Sequence, residues 1–256
     1  MHALCNLSLV PVRKEPSDKS EMITQLLFGE GFEIMETRNQ WRRIRTDFDQ
    51  YEGWVDEKQF VLITDPDHKK LVESSSILTL DLLQVAIEQD RMIPVLLGST
   101  LPSFIAGNFV LGDKEYSYEG NVRNCSKEYT KKTVVDNAMM YFNAPYLWGG
   151  RSPFGIDCSG LTQMAYKMAG IKLWRDANQQ ASQGITLHLL EESVPGDLAF
   201  FDNEDGNITH TGILLSGNQV IHASGKVRID KIDHQGIFNV DTKRYSHHLR
   251  LVKKIV

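Results

Sequence analysis

Cys158 lies in the run Gly155-Ile156-Asp157-Cys158-Ser159-Gly160-Leu161-Thr162, with a glycine-rich loop before it and a helical pattern after it. That order puts the thiol at a helix N-terminus, where unsatisfied backbone N–H groups carry partial positive charge. Thiolate is the nucleophilic form of cysteine, and such a location by itself is expected to favour it over the thiol. The same N–H groups suit the oxyanion of an acyl-transfer intermediate. An isolated cysteine is more often a small buried apolar residue, so the chemistry depends on its partners.

Acyl transfer through a thiolate needs a group that takes and returns a proton, and histidine titrates near neutrality. Eight histidines are present. His210 opens the strand-like run His210-Thr211-Gly212-Ile213-Leu214-Leu215, and His222 lies inside the next, Gln219-Val220-Ile221-His222-Ala223. Ser216-Gly217-Asn218 between them is hairpin chemistry. The two histidines share a face only if opposed residues of the hairpin have an even sum. An odd-length loop or a bulge provides that register; a strict two-residue Gly217-Asn218 loop does not. In the register that works, His222 orients His210, the third role of a nucleophile–base–orienter set. His2, His68, His188, His234, His247 and His248 read as structural or solvated.

Five segments in order resemble the NlpC family of cell-wall peptidases: Pro145-Tyr146-Leu147-Trp148-Gly149-Gly150, Asp157-Cys158-Ser159-Gly160, Pro195-Gly196-Asp197-Leu198-Ala199-Phe200-Phe201, His210-Thr211-Gly212-Ile213 and Val220-Ile221-His222-Ala223. Order and spacing match as well as identity, which makes the signal far more specific than a lone short motif. The resemblance implies an α+β fold with a papain-like catalytic domain. It implies Cys158 as nucleophile, His210 as base, His222 as the third member and Tyr146 beside the thiol near the oxyanion site.

The N-terminal part resembles the bacterial SH3-like domains fused to one branch of that family. The matching residues run from Val12-Arg13-Lys14 through Ser20-Glu21-Met22 to Phe28-Gly29-Glu30, with Tyr51-Glu52-Gly53-Trp54-Val55. That branch comprises γ-D-glutamyl-L-diamino acid endopeptidases, which take cell-wall peptides with a free N-terminal L-Ala. The first barrel caps the catalytic groove in such enzymes, so the implied substrate is a short freed peptide. Its ammonium needs an acidic or carbonyl acceptor. Asp157 is the first candidate, Glu21 and Tyr51 of the capping barrel the next, and Asp176 of the segment Arg175-Asp176-Ala177 another. Ser159 and Trp148 are expected to line the same pocket, and Phe154 to shape the groove. The diamino acid is left open between meso-diaminopimelate and L-Lys.

These residues need elements to hold them. Residues 1–62 read as short alternating strands with turn signals between, a small SH3-like barrel. Residues 63–122 suggest a second small barrel, with strands at Met92-Ile93-Pro94-Val95-Leu96-Leu97-Gly98, Asn108-Phe109-Val110-Leu111-Gly112 and Glu115-Tyr116-Ser117-Tyr118. Residues 78–87 fit either a strand or a short helix. From residue 123 to 256 the pattern changes to the catalytic domain: helices over 130–142 and 158–169, the second closed by Gly170, then strands. Helices first and antiparallel strands after is an α+β order.

The bulk numbers narrow the alternatives. A chain of 256 residues with 41% hydrophobic and 24% charged residues is long enough for several packed domains. A formal net charge of -5 leaves no broad basic field for nucleic acid or an anionic membrane. Cys5, Cys125 and Cys158 are odd in number and widely spaced, which is no disulfide framework. No CxxC spacing points to zinc, and the chemistry needs no metal or organic cofactor. The first residues lack a basic segment and a long apolar run. A reduced, cytoplasmic monomer is the expectation. Two other classes stand beside the peptidase: an inert peptidoglycan-binding module and a papain-like acyltransferase.

Overall fold

The alternation of the first sixty residues forms antiparallel strands. They appear in a computed structural model that describes residues 1–74, 77–127 and 129–255, and the chain divides into two units, Met1–Lys127 and Glu128–Val256. In the first unit β1 (His2–Leu4), β2 (Leu9–Arg13), β3 (Met22–Leu27), β4 (Gly31–Arg38), β5 (Trp41–Thr46), β6 (Glu52–Asp56) and β7 (Val61–Ile63) make one sheet in the order β3-β2-β6-β5-β4-β1-β7. Val10 and Val12 point inward while Leu9, Pro11 and Arg13 are half-buried, so period two decides the inner face. Ala3, Val10, Val12, Leu26, Phe32, Ile34, Ile44 and Val55 fill the space the sheet wraps. This is the SH3-like barrel.

A helix, α1 (Asp65–Ser74), follows, and the sequence pattern does not announce it. Residues 78–87 resolve in favour of strands, as β8 (Ile77–Thr79) and β9 (Leu83–Glu88). With β10 (Arg91–Leu96), β11 (Asn108–Leu111), β12 (Lys114–Tyr118) and β13 (Val122–Asn124) they give a four-stranded sheet, β10-β9-β12-β11, and a β13-β8 ladder. Their core contains Ala86, Val95, Phe109, Leu111, Tyr116 and Tyr118, together with Leu4 and Phe28 from the barrel. Phe28 meets Phe109 and Tyr116 edge-on, so the two parts of this unit share apolar packing.

The second unit holds α2 (Lys131–Met139), a short β14–β15 hairpin (Arg151–Ser152, Gly155–Ile156), α3 (Cys158–Lys167) and α4 (Ala177–Gln180). After them come β16 (Ile185–Leu187), β17 (Leu198–Asp202), β18 (Ile208–Leu215), β19 (Gln219–Ser224), β20 (Lys226–Asp233), β21 (Gly236–Asn239) and β22 (Arg244–Lys254). Both expected helices are present but end sooner, and α3 closes near Gly170, whose φ of +75° glycine adopts without strain. The sheet order is β16-β22-β17-β18-β19-β20-β21, and β21 pairs again with β22, so β17 to β22 close on themselves. Ala199, Phe201, Leu214, Val220, Ile232, Ile237 and Val252 pack inside this closure. The other face of β18, with Thr211 and Ile213, is also buried, and α3 packs against this strand.

Candidate active site

Asp157 is the N-cap of α3, and Cys158 is the first helical residue. The Asp157 carboxylate accepts from the Gly160 N–H at 2.6 Å and from the Gly149 N–H at 2.8 Å. Arg175 lies fork to fork against it, Nη1 to Oδ1 at 3.0 Å and Nη2 to Oδ2 at 2.7 Å. Arg175 Nη1 also donates to Ser159 Oγ at 2.8 Å. Arg175 is 1% exposed and Asp157 6%, so the pair is shielded from water. A bidentate arginine holds a carboxylate in one plane, and the cap therefore positions the first turn that carries Cys158.

Helix position alone does not activate the thiol, contrary to the expectation above. Burial, and next the adjacent Asp157 charge, push Cys158 up to about 12, and this outweighs the N–H groups of Thr211 and Ser159 and the Arg175 charge, which favour thiolate. Burial thus favours the neutral thiol, and a nucleophilic role for Cys158 would need a base to take its proton. The contact with the Thr211 N–H places its sulfur beside the strand that carries His210.

The hairpin takes the register that aligns the histidines. Leu215 pairs with Gln219 and Gly212 with His222, across the three-residue loop Ser216-Gly217-Asn218. His210, Gly212 and Leu214 thus share a face with Val220 and His222, the face that lines the interior. His210 Nε2 and His222 Nδ1 are 2.9 Å apart, and both rings are buried. Burial, with His247 and His222 nearby, lowers His210 well below the usual histidine range, so it is neutral and able to accept a proton. Beyond it, His222 Nε2 meets Asp230 Oδ2 at 3.0 Å. Arg228 donates to both oxygens of Asp230, and the Val240 N–H donates to Oδ1.

His247, read from sequence as structural or solvated, belongs to this cluster. Its ring stacks on His210, with centroids 4.0 Å apart and planes 20° apart. Strict alternation back from the interior Val252 would send His248 inward. Register slips where Phe200 pairs with Leu251 but Phe201 with Leu249, which leaves Arg250 out of the ladder and turns Leu249 and His247 inward instead. Ligand atoms of His210, His222 and His247 lie within 4.8 Å of one another, close enough in distance to share an ion. A metal lies in the plane of each imidazole it binds, however, and stacked rings send those lone pairs side by side. An ion would require His247 to turn.

Tyr146 is half-buried, and its backbone N–H donates to Gly225 O at 3.0 Å. Burial first, then the nearby Cys158 and Asp157, push its phenol up to about 12, so it stays a hydrogen-bond donor. Trp148 is 59% exposed. Asp176 is the N-cap of α4, and its N–H donates to Gln179 Oε1 at 3.1 Å. Glu21 and Tyr51 belong to the first unit: Glu21 is exposed with Lys14 Nζ at 3.3 Å, and the Tyr51 N–H donates to Thr46 Oγ1 at 3.0 Å. The second unit thus brings Cys158, Asp157, Ser159, Tyr146, His210 and His222 to one region. Arg175, Arg228, Asp230 and His247 do not stand out as site residues in the sequence. The spacing of Arg228 and Asp230 in a strand-like run is the one available signal.

A buried cysteine at a helix N-terminus, beside an antiparallel sheet that carries a hydrogen-bonded pair of histidines, is the residue set a papain-like cysteine peptidase uses. Residues 143–247 match the NlpC/P60 family, and residues 12–60 match the bacterial dipeptidyl-peptidase Sh3 domain. The chain is 26% identical to dipeptidyl-peptidase 6 of Lysinibacillus sphaericus, over 92% of this chain and 93% of the relative. It is 27% identical to the γ-D-glutamyl-L-lysine dipeptidyl-peptidase of Bacillus subtilis, over 78% of this chain and 71% of the relative. A crystal structure of an NlpC/P60 family protein from Bacillus cereus has the same fold, with a TM-score of 0.83 at 19% identity over 100% of this chain and 99% of that one. The chain thus carries an NlpC/P60 cysteine peptidase domain and an N-terminal bacterial SH3 domain.

Proposed function

We propose that this peptidase cuts the bond between γ-D-Glu and the diamino acid in short cell-wall peptides that begin with a free L-Ala. The observation that carries the proposal is the joining of the two parts: a dipeptidyl-peptidase SH3 domain over residues 12–60 in one chain with the Cys158–His210–His222 site. In this reading Cys158 attacks the γ-D-glutamyl carbonyl while His210 takes the thiol proton. The backbone N–H groups at the start of α3, with the Tyr146 hydroxyl, hold the oxyanion. His210 then protonates the leaving amine, and water activated by the same ring releases L-Ala-D-Glu. Glu21, Tyr51 and Asp176 are the groups proposed for the ammonium end, and Ser159 and Trp148 for the pocket wall; Asp157, expected there from sequence, has both oxygens taken by Arg175, Gly149 and Gly160 and instead holds the start of α3. Recycling of wall peptides in the cytoplasm, by a monomer, completes the proposal; native protein in a secreted fraction would count against that compartment.

The test is mass-spectrometric product analysis with L-Ala-γ-D-Glu-diaminopimelate, the L-Lys analogue, and both peptides N-acetylated. Release of L-Ala-D-Glu from the free peptides only, absent in Cys158→Ala, supports the bond and the amino-terminal requirement together. Equal cleavage of free and acetylated peptides would remove the roles given to Glu21 and Tyr51. No cleavage of any of them under reducing conditions would overturn the substrate.

A further inference from the structure

The two active-site histidines each have two tautomers, and only one combination leaves His210 able to act as a base. His210 Nε2 is occupied by His222 Nδ1. Its other nitrogen, Nδ1, is left for the thiol, and that nitrogen must carry a lone pair. The Nε2 of His210 must then bear the hydrogen and donate to His222 Nδ1. His222 can accept there only if its own hydrogen sits on Nε2. Whatever faces His222 Nε2 therefore decides the state of the base two rings away.

That group is Asp230. It is 1% exposed, and its carboxylate is acceptor-only when ionised. Arg228 Nε reaches Oδ2 at 2.7 Å, Arg228 Nη2 reaches Oδ1 at 2.9 Å, and the Val240 N–H reaches Oδ1 at 2.9 Å. Arg228 is itself tied to Asp241 at 2.9 Å. Burial alone would raise Asp230, yet the donors from His222, Arg228 and Val240 hold it below the usual carboxylate range. Asp230 on β20 pairs with Val220 and so stands diagonal to His222 on the same interior face.

We propose that Asp230 is a positioning residue that locks the His222–His210 pair in the tautomer with both hydrogens on Nε2, so that His210 Nδ1 stays free to take the Cys158 proton. The role rests on the cysteine peptidase reading, and it adds to the Cys158–His210–His222 set a residue that touches neither substrate nor thiol. In Asp230→Asn, an amide oxygen kept on Arg228 Nη2 and the Val240 N–H sets the NH2 against Arg228 Nε and His222 Nε2, of which only His222 can change from donor to acceptor; the opposite flip would set the NH2 against two donors that cannot change, Arg228 Nη2 and the Val240 N–H. That amide donates where the carboxylate accepted. It drives the His222 hydrogen to Nδ1 and reverses the His210 tautomer. The groups facing the pair are Asp230 and Arg228 from β20, His247 from β22 and Cys158 from α3, and Asp230→Asn changes the charge of Asp230 alone.

Two measurements test this without any peptide substrate, so their outcome is independent of whether the chain cuts the proposed bond. The first is imidazole ¹⁵N–¹H correlation NMR of the unaltered protein near neutral pH. Nε2–H on both His210 and His222 is expected; Nδ1–H on either ring overturns the proposal, and this arm needs no variant to fold. The second is the pH profile of Cys158 alkylation by iodoacetamide, mapped by mass spectrometry, in the unaltered protein and in Asp230→Asn. The variant should react on the order of 100-fold more slowly at neutral pH; loss of the carboxylate directly behind a protease histidine costs about 10⁴ by this tautomer error. The loss should shrink as pH rises, because the variant's thiol must ionise unaided while the base-assisted rate of the unaltered protein stays level. A profile within about twofold of the unaltered protein overturns the role, and so does an equal loss at every pH, which marks mere structural damage.

Discussion

His210 Nε2 and His222 Nδ1 stand 2.9 Å apart, although the strand partner of His222 is not His210 but Gly212. The hydrogen bond is diagonal, and it crosses the position where Gly212 has no side chain. A Cβ there would sit 2.6 Å from Val220 Cγ2, 2.9 Å from Ile221 O and 3.0 Å from the His222 Cβ. Real Cβ atoms do not approach that closely, so strand or ring must move. Gly212→Ala is expected to cost about 1–3 kcal/mol as an overpacked core site. Because the push falls on Val220 and Ile221 and in part on the His222 Cβ, peptidase activity should fall further than the unfolded fraction accounts for. Urea denaturation and the turnover of protein shown to be folded separate the two. Normal turnover in the folded variant would show that the diagonal contact does not depend on the missing side chain.

Arg175 and Asp157 form a buried pair next to the nucleophile, and breaking it should be costly. Arg175→Leu leaves Asp157 as an uncompensated charge that is 6% exposed, a change that typically costs about 3–5 kcal/mol. The double variant Arg175→Leu, Asp157→Asn removes both charges and should recover part of that loss, although the cap donors Gly149 and Gly160 then meet a weaker acceptor. A double-mutant cycle by denaturant titration measures the coupling. Strict additivity of the two single changes would mean that the pair contributes nothing beyond its separate contacts.

Sequence carried the local chemistry of this site and missed what depends on long-range register. Asp157 and Cys158 are adjacent in the chain, so the cap and the helix start could be read directly. The hairpin register was reduced to two options, and the three-residue loop selected one. His247 was hidden because a bulge at Arg250 reverses the alternation, and nothing in Arg250 itself announces a bulge. Asp230 depends on closure of the sheet through β20. In the Arg175-Asp176-Ala177 segment sequence pointed to Asp176, yet Arg175 is the residue buried beside the nucleophile; an arginine is ordinarily exposed, and only the facing carboxylate makes its burial tolerable.

The histidine cluster makes the fold sensitive to mild acid. Burial, and then the neighbouring His222, lower His247 from the usual 6.5 to about 4. His210 shifts in the same direction. Between pH 4 and 6.5 the unfolded chain binds protons that the native state refuses, so stability rises with pH through that window. It is fully present above about pH 6.5 and is lost as pH falls towards 4. The melting temperature should therefore drop across this range, and His247→Gln should flatten part of the slope. An unchanged slope in that variant would assign the acid sensitivity to other groups.

Tyr146 can be tested for the oxyanion role without disturbing the histidines. Its phenol is held protonated, pushed up to about 12 by burial and by the Cys158 and Asp157 beside it, so at neutral pH it can only donate to a developing negative charge. A donor that strengthens in the transition state affects turnover more than binding. Tyr146→Phe should therefore lower kcat by about 100- to 1000-fold, the range for loss of one oxyanion donor, and leave KM nearly unchanged. The ring and its packing remain, and so does the backbone bond to Gly225, so stability should change little. Steady-state kinetics on the proposed tripeptide supplies both constants. A rise in KM at constant kcat would move Tyr146 from the oxyanion to the substrate pocket, where it would contact the peptide equally before and during the reaction.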